Sequence, residues 1–434
     1  MQSFKPGSRY RLLHFLWMVP LSLLLLLAST AVAQQPGVQD LLAQADEVFQ
    51  QMSQITGLPI KAPLKKQVVS RPEVEKYLTQ NLHEEMTPEE IHAQEALVRA
   101  LGLVPRDFNL EKFVVSFYTE QAAGFYDFRS KTMFIADWVP AELQAMTLSH
   151  ELTHALQDQS WDLDSYMHAV RDDDDATAAR QAVVEGYATA AMLQHSMGGA
   201  DLGQIPSLAP LMEKLIPQQI DGSPELSSAP YFFRTEALFP YLQGMGFIQA
   251  GLARGNWKSL NVMFEHPPKA TKQIFDPESY FNHQELPKVA LPHPPALDGV
   301  AGLRFLTENA MGQLGYYALL GQLISEDEAA TLSPGWLGDR YLLYEHSGGD
   351  DYTLVARTRW TSAETAGTFF REYHKILAHK YSGLSTDQRS SADEFIGSAA
   401  NSAVLLLRKG DECVWAEGVP AAKADAMLAW LRGL

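Results

Sequence analysis

The chain has 434 residues, 46% of them hydrophobic and 20% charged, a globular composition whose length calls for two or three domains. Fifty-two acids against 34 bases leave a formal charge of −18, which repels nucleic-acid phosphates and anionic lipid and disfavours a nucleic-acid partner. The single cysteine, Cys413, can form no internal disulfide and no cysteine-based zinc or iron–sulfur site, so any metal must be held by histidines and carboxylates.

Taken in chain order, residues 1–33 read as a signal peptide. Lys5, Arg9 and Arg11 form a basic start, Leu12 to Ala28 is apolar, and Ala31-Val32-Ala33 gives a small-x-small cleavage site. The protein is therefore expected to be exported, to the periplasm or beyond. The alternative is an uncleaved membrane anchor, because the apolar run is nearly long enough to span. No second run of that kind follows, so no stable membrane insertion is expected once the signal is removed.

Residues 38–55 carry Leu42, Ala45, Phe49 and Met52 at helical spacing. Ser70-Arg71-Pro72-Glu73 and Thr87-Pro88-Glu89-Glu90 read as capping boxes that open two further helices, the second ending near Gly102. Phe113 to Tyr118 reads as a strand, and Gly124 to Ile135 as a hairpin turning at Arg129-Ser130-Lys131. Residues 141–159, 176–197 and 231–257 read as helices, and the proline-bearing stretch 199–230 as a wrapping loop. Seven prolines between Pro267 and Pro295 mark a boundary. Beyond it, strands at 340–345, 353–360, 403–408 and 412–416 alternate with helices at 361–378 and 421–431, two ββα units under one helix-covered sheet. The acidic run Asp172 to Asp175 fits a solvated helix N-terminus.

The chemistry lies in His150-Glu151-Leu152-Thr153-His154. On a helix, positions i and i+4 stand one above the other, so both imidazoles reach one ion, while Glu151 is turned by about 100° and can face a water on that ion. Leu148, Leu152 and Ala155 stripe the opposite side, so the histidine side faces a cleft. A third ligand is required. Glu185 is the best candidate, because it is the one Asp, Glu, Lys or Arg between Gln181 and Ala200, and a lone carboxylate in so apolar a helix is costly without a cation. Asp158, Asp162 and Asp164 are rivals that more readily cap or support the first helix. Two histidines and a carboxylate leave one position of tetrahedral zinc open for water, the catalytic arrangement, with Glu151 as general base. Tyr187, Tyr231, Tyr241, His266 and Tyr280 are candidates for stabilising the oxyanion.

His150-Glu151-x-x-His154, followed by Glu185 in a Glu-Gly-Tyr-Ala context, resembles the gluzincin group of zinc metallopeptidases, which includes thermolysin. The stretch from Tyr118 to Asp127, together with His150 to Gln159, is also similar to a group of little-characterised exported bacterial metallopeptidases. The resemblance implies a strand edge before the active-site helix that pairs with a peptide, at the place of the Gly124–Ile135 hairpin. It also implies an Asp four residues after the ligand glutamate, orienting a ligand histidine. Here that position is Thr189, and Asp158 is the nearest substitute.

The expected fold is α+β: a signal peptide (1–33), an N-terminal helical region (34–105), a mostly helical zincin-like domain with a small sheet before the His-Glu helix (106–296), and a C-terminal α+β module (297–434). The expected function is an exported, zinc-dependent peptidase acting on a peptide or protein substrate, with His150, His154 and Glu185 as metal ligands and Glu151 as catalytic base. The alternative is a non-catalytic exported binding or scaffold protein whose metal site is structural or vestigial.

Overall fold

The structure, a computed structural model, describes residues 38–139, 141–208, 220–348 and 351–434. The signal segment lies outside the described residues, as does the middle of the 199–230 loop. Among the described residues no helix is long and apolar enough to cross a membrane.

The architecture is α+β. Helix α1 (Val38–Thr56) buries Ala45, Phe49 and Met52 against helix α5 (Ala141–Trp161) and helix α7 (Asp174–Ser196). Strand β1 (Lys65–Val69) follows, then α2 (Arg71–Glu85) and α3 (Pro88–Ala100), each opened by its expected capping box. Glu73 accepts the Ser70 backbone N–H at 2.8 Å, and Glu90 that of Thr87 at 2.7 Å.

The expected strand at 113–118 is instead part of helix α4 (Leu110–Gln121). Its aromatic and β-branched residues carry strand propensity, but burial falls on Val114, Phe117, Tyr118 and Gln121 at helical spacing, with Thr119 beside them. Asn109 accepts the Lys112 N–H at 2.7 Å and starts the helix. The hairpin is present as β2 (Gly124–Asp127) and β3 (Thr132–Ala136), with Lys131 left-handed at φ 55° in the turn. β1 joins it in parallel with β3, in the order β1-β3-β2. β2 is therefore an edge, and that edge faces α5.

A short helix α6 (Leu163–His168) leads into α7, which packs most intimately on α8 (Tyr231–Leu252). The two backbones touch: a Cβ on Gly186 would overlap the carbonyl of Gly244 and stand 2.7 Å from the Met245 nitrogen. The acidic run is only partly solvated, with Asp172 exposed and Asp173 half-buried. Asp173 caps α7 by accepting the Ala176 N–H, whereas Asp174 and Asp175 are buried.

The C-terminal sheet has seven antiparallel strands: β4 (Leu303–Asn309), β5 (Trp336–His346), β6 (Tyr352–Trp360), β7 (Ser385–Thr386), β8 (Glu394–Ala399), β9 (Ser402–Lys409) and β10 (Glu412–Pro420). Their order is β4-β5-β6-β10-β9-β8-β7. Helices cover both faces of this sheet. Leu354, Leu406, Cys413 and Trp415 meet α10 (Ala363–Lys380) through Phe369, Tyr373 and Ile376. Their alternates Val355, Leu405, Val414 and Ala416 meet α11 (Ala424–Gly433) through Met427, Leu428 and Leu431. The first face also takes in Leu97 of α3, Phe232 and Phe233 of α8, and Tyr316 and Leu319 of α9 (Gly312–Leu323). The sheet thus shares its core with the helices before residue 296.

Candidate metal centre and active site

His150 and His154 lie one turn apart on α5 and leave the helix on one face, while Leu148, Leu152, Ala155 and Leu156 fill the core behind. Glu185 projects from the middle of α7 toward them. Its Oε2 stands 3.1 Å from Nε2 of His150 and 3.3 Å from Nε2 of His154, and the two nitrogens are 3.0 Å apart. A tetrahedral ion with bonds of about 2.0–2.1 Å spaces its ligand atoms about 3.3–3.4 Å apart. The triangle is therefore within a few tenths of an ångström of one face of a zinc site.

The electrostatics fit the same ion. Among the described residues no lysine or arginine pairs with Glu185, and all three residues are at most 2% exposed. Burial alone would raise the Glu185 carboxyl, but the charge of His154 and hydrogen bonds from both imidazoles hold it down at about 2. Burial pulls His154 down, yet Glu185 first and Glu151 next raise it to about 9. On His150 burial prevails and lowers the pKa, with the His154 charge adding to it. The Glu185 carboxylate thus favours positive charge beside it, whether a proton on His154 or a cation among the three side chains.

Glu151 is fully buried beside this triangle, its carboxylate within 4.8 Å of the two histidine ligand atoms. That spacing alone would also admit Glu151 as the third ligand. Glu185 comes closer to both nitrogens, at 3.1 and 3.3 Å. Oε2 of Glu151 accepts the Tyr126 backbone N–H at 2.8 Å, so the edge of β2 fixes the carboxylate next to the metal position without entering it.

Asp158 does not orient a histidine. It accepts from the Tyr126 hydroxyl (2.9 Å), Lys131 Nζ (2.8 Å) and the Leu163 N–H (3.2 Å), tying the hairpin to the end of α5. Asp162 caps α6 through Ser165, and Asp164 lies 3.3 Å from His168. The rivals are thus held away from the triangle. Thr189 Oγ1 is buried with no hydrogen bond among the described residues.

The partner of His154 is Gln157, whose Oε1 stands 2.7 Å from Nδ1 while its Nε2 donates to the Val184 carbonyl at 3.0 Å. Reading the sequence missed it, although His154-x-x-Gln157 at i,i+3 places both on one face. It also missed Tyr126, because the group that acts is a backbone N–H that any residue would carry.

Of the oxyanion candidates, Tyr241 comes beside the ligands, its ring 6.0 Å from that of His150. Tyr187 is packed among Trp161, Trp257 and Phe264. Tyr280 donates to the His266 carbonyl at 2.8 Å, and Tyr231 rests against Gly321.

A family model described as "Domain of unknown function (DUF8575)" matches residues 303–428, which takes in the seven-stranded sheet, α10 and the first half of α11. No curated protein and no solved structure matches the chain.

Proposed function

We propose that the chain is an exported zinc-dependent peptidase that hydrolyses peptide bonds of a peptide or protein substrate. The observation that carries this reading is the triangle of His150, His154 and Glu185 with Glu151 fixed beside it and turned off the ligand face. His150, His154 and Glu185 would hold a zinc ion, which when bound would supply Lewis acidity and lower the pKa of an attacking water to about 7. Glu151 would accept a proton from the water that attacks the peptide carbonyl carbon and would deliver it to the departing amine nitrogen as the C–N bond breaks. We assign the developing oxyanion to Tyr241, the candidate hydroxyl-bearing side chain beside the ligands. The hairpin edge, which serves Glu151 through Tyr126, would then lie next to the scissile position.

One observation favours a second reading. All four site residues are at most 2% exposed, as expected for a structural metal in a non-catalytic binding or scaffold protein. Glu151 separates the two, because a structural site needs ligands and no base. Glu151→Gln should retain zinc at wild-type stoichiometry and lose at least 100-fold in peptide cleavage. Equal cleavage by both proteins contradicts the mechanism, and zinc without cleavage in either supports the structural reading.

A further inference from the structure

His154 and Gln157 are both fully buried on α5, three residues apart on one face. The Gln157 amide touches two groups whose hydrogen-bonding character differs. The Val184 carbonyl can only accept, so the amide edge facing it at 3.0 Å is the NH2. The other edge is then the carbonyl, and it lies 2.7 Å from Nδ1 of His154. A carbonyl can only accept, so Nδ1 carries the hydrogen. In the neutral ring this leaves the lone pair on Nε2, the nitrogen 3.3 Å from Glu185 and 3.0 Å from His150. One backbone acceptor on α7 thereby dictates the tautomer of a ring on α5. Val184 immediately precedes Glu185, so the same amide ties the helix that carries the carboxylate to the helix that carries the histidines.

We propose that Gln157 is a positioning residue that fixes His154 with its Nε2 lone pair toward the metal position and so sets the affinity of the site for a divalent ion. This rests on the reading of His150, His154 and Glu185 as metal ligands. A solvent-facing or merely space-filling glutamine would make neither contact with such complementarity. Groups that orient ligand histidines are typically worth 10–100-fold in metal affinity.

The test is zinc titration against a competing chelator for the full chain and two variants. Gln157→Met keeps the length and volume but neither accepts from Nδ1–H nor donates to Val184. Gln157→Glu still accepts from Nδ1–H and loses only the donor. Binding should weaken 10–100-fold in Gln157→Met and recover most of that loss in Gln157→Glu. Gln157→Met binding zinc as tightly as wild type overturns the proposal, and so does Gln157→Glu binding as weakly as Gln157→Met. Should either variant fail to fold, the zinc-loaded wild type decides: long-range 1H–15N spectra should show His154 bound through Nε2 with hydrogen on Nδ1, and coordination through Nδ1 overturns the proposal. A wild type that takes up no zinc while correctly folded removes the ligand reading itself, which is a different result from zinc binding that is indifferent to Gln157.

Discussion

The proposed ligand set depends on a buried carboxylate that is costly without a compensating positive charge. Glu185 is 2% exposed, and the partners of its charge are two imidazoles whose lone pairs an ion would also use. Replacing it with glutamine keeps shape and removes the charge that favours a dication. Glu185→Gln should lower zinc affinity by at least tenfold, measured by competition with a chromophoric chelator. Asp162→Asn should leave that affinity unchanged, because Asp162 caps α6 instead of facing the triangle. Zinc lost from Asp162→Asn and kept by Glu185→Gln would reverse the assignment.

At the scale of elements, the site is the meeting of α5 with α7, and α7 is held by contact with α8. Gly186 adjoins Glu185, and its missing side chain lets the α8 backbone at Gly244 and Met245 approach directly. A methyl there forces the helices apart. Gly186→Ala should destabilise the fold by about 1–3 kcal/mol, the usual range for overpacking a tight interior, and should also weaken zinc binding by moving Glu185. An unchanged urea midpoint would mean that the helices can shift freely and that their contact does not position the site. The elements most legible in the sequence are those with local signals: the capping boxes of α2 and α3, the hairpin turn at Lys131, and the His150–His154 spacing on α5. Phe113 to Tyr118 misled because its residue types favour strand while its tertiary contacts select a helix face. β1 was illegible because its pairing with β3 joins residues far apart in sequence and leaves most of its side chains exposed, with no alternation to read. Gln157 was hidden among ordinary helix residues, since its meaning lies in Val184 across an interface.

At the scale of the molecule, residues on both sides of Pro295 share one core and one buried polar knot. Asp175, at the start of α7, accepts from the Thr271 N–H at 2.9 Å and from its hydroxyl at 2.5 Å, and the same hydroxyl accepts the Leu314 N–H of α9 at 3.1 Å. Gly312, left-handed at φ 72°, has no side chain to collide with the Asp175 carboxyl. Burial, with Asp173 nearby, raises Asp175 to about 8, and burial raises Asp339 across the knot to about 6. A carboxyl raised in the folded state binds its proton more tightly there than in the unfolded chain. Its contribution is therefore fully present below about pH 4 and is lost as pH rises toward 8, at up to about 1.4 kcal/mol per pH unit. Asp175→Asn removes that titration. Its stability relative to wild type should improve between pH 5 and pH 8 in urea unfolding, and a pH-independent difference would show that Asp175 is ionised throughout.

The central claim is that this whole assembly presents a zinc-activated water to a peptide bond. It is tested most directly by incubating the purified wild-type protein with a denatured protein mixture and sequencing the new termini, with and without a zinc chelator. The account predicts discrete new cleavage sites that vanish with the chelator and return when zinc is restored. Cleavage that persists after zinc has been stripped, or no cleavage by protein shown to carry one zinc per chain, would contradict it.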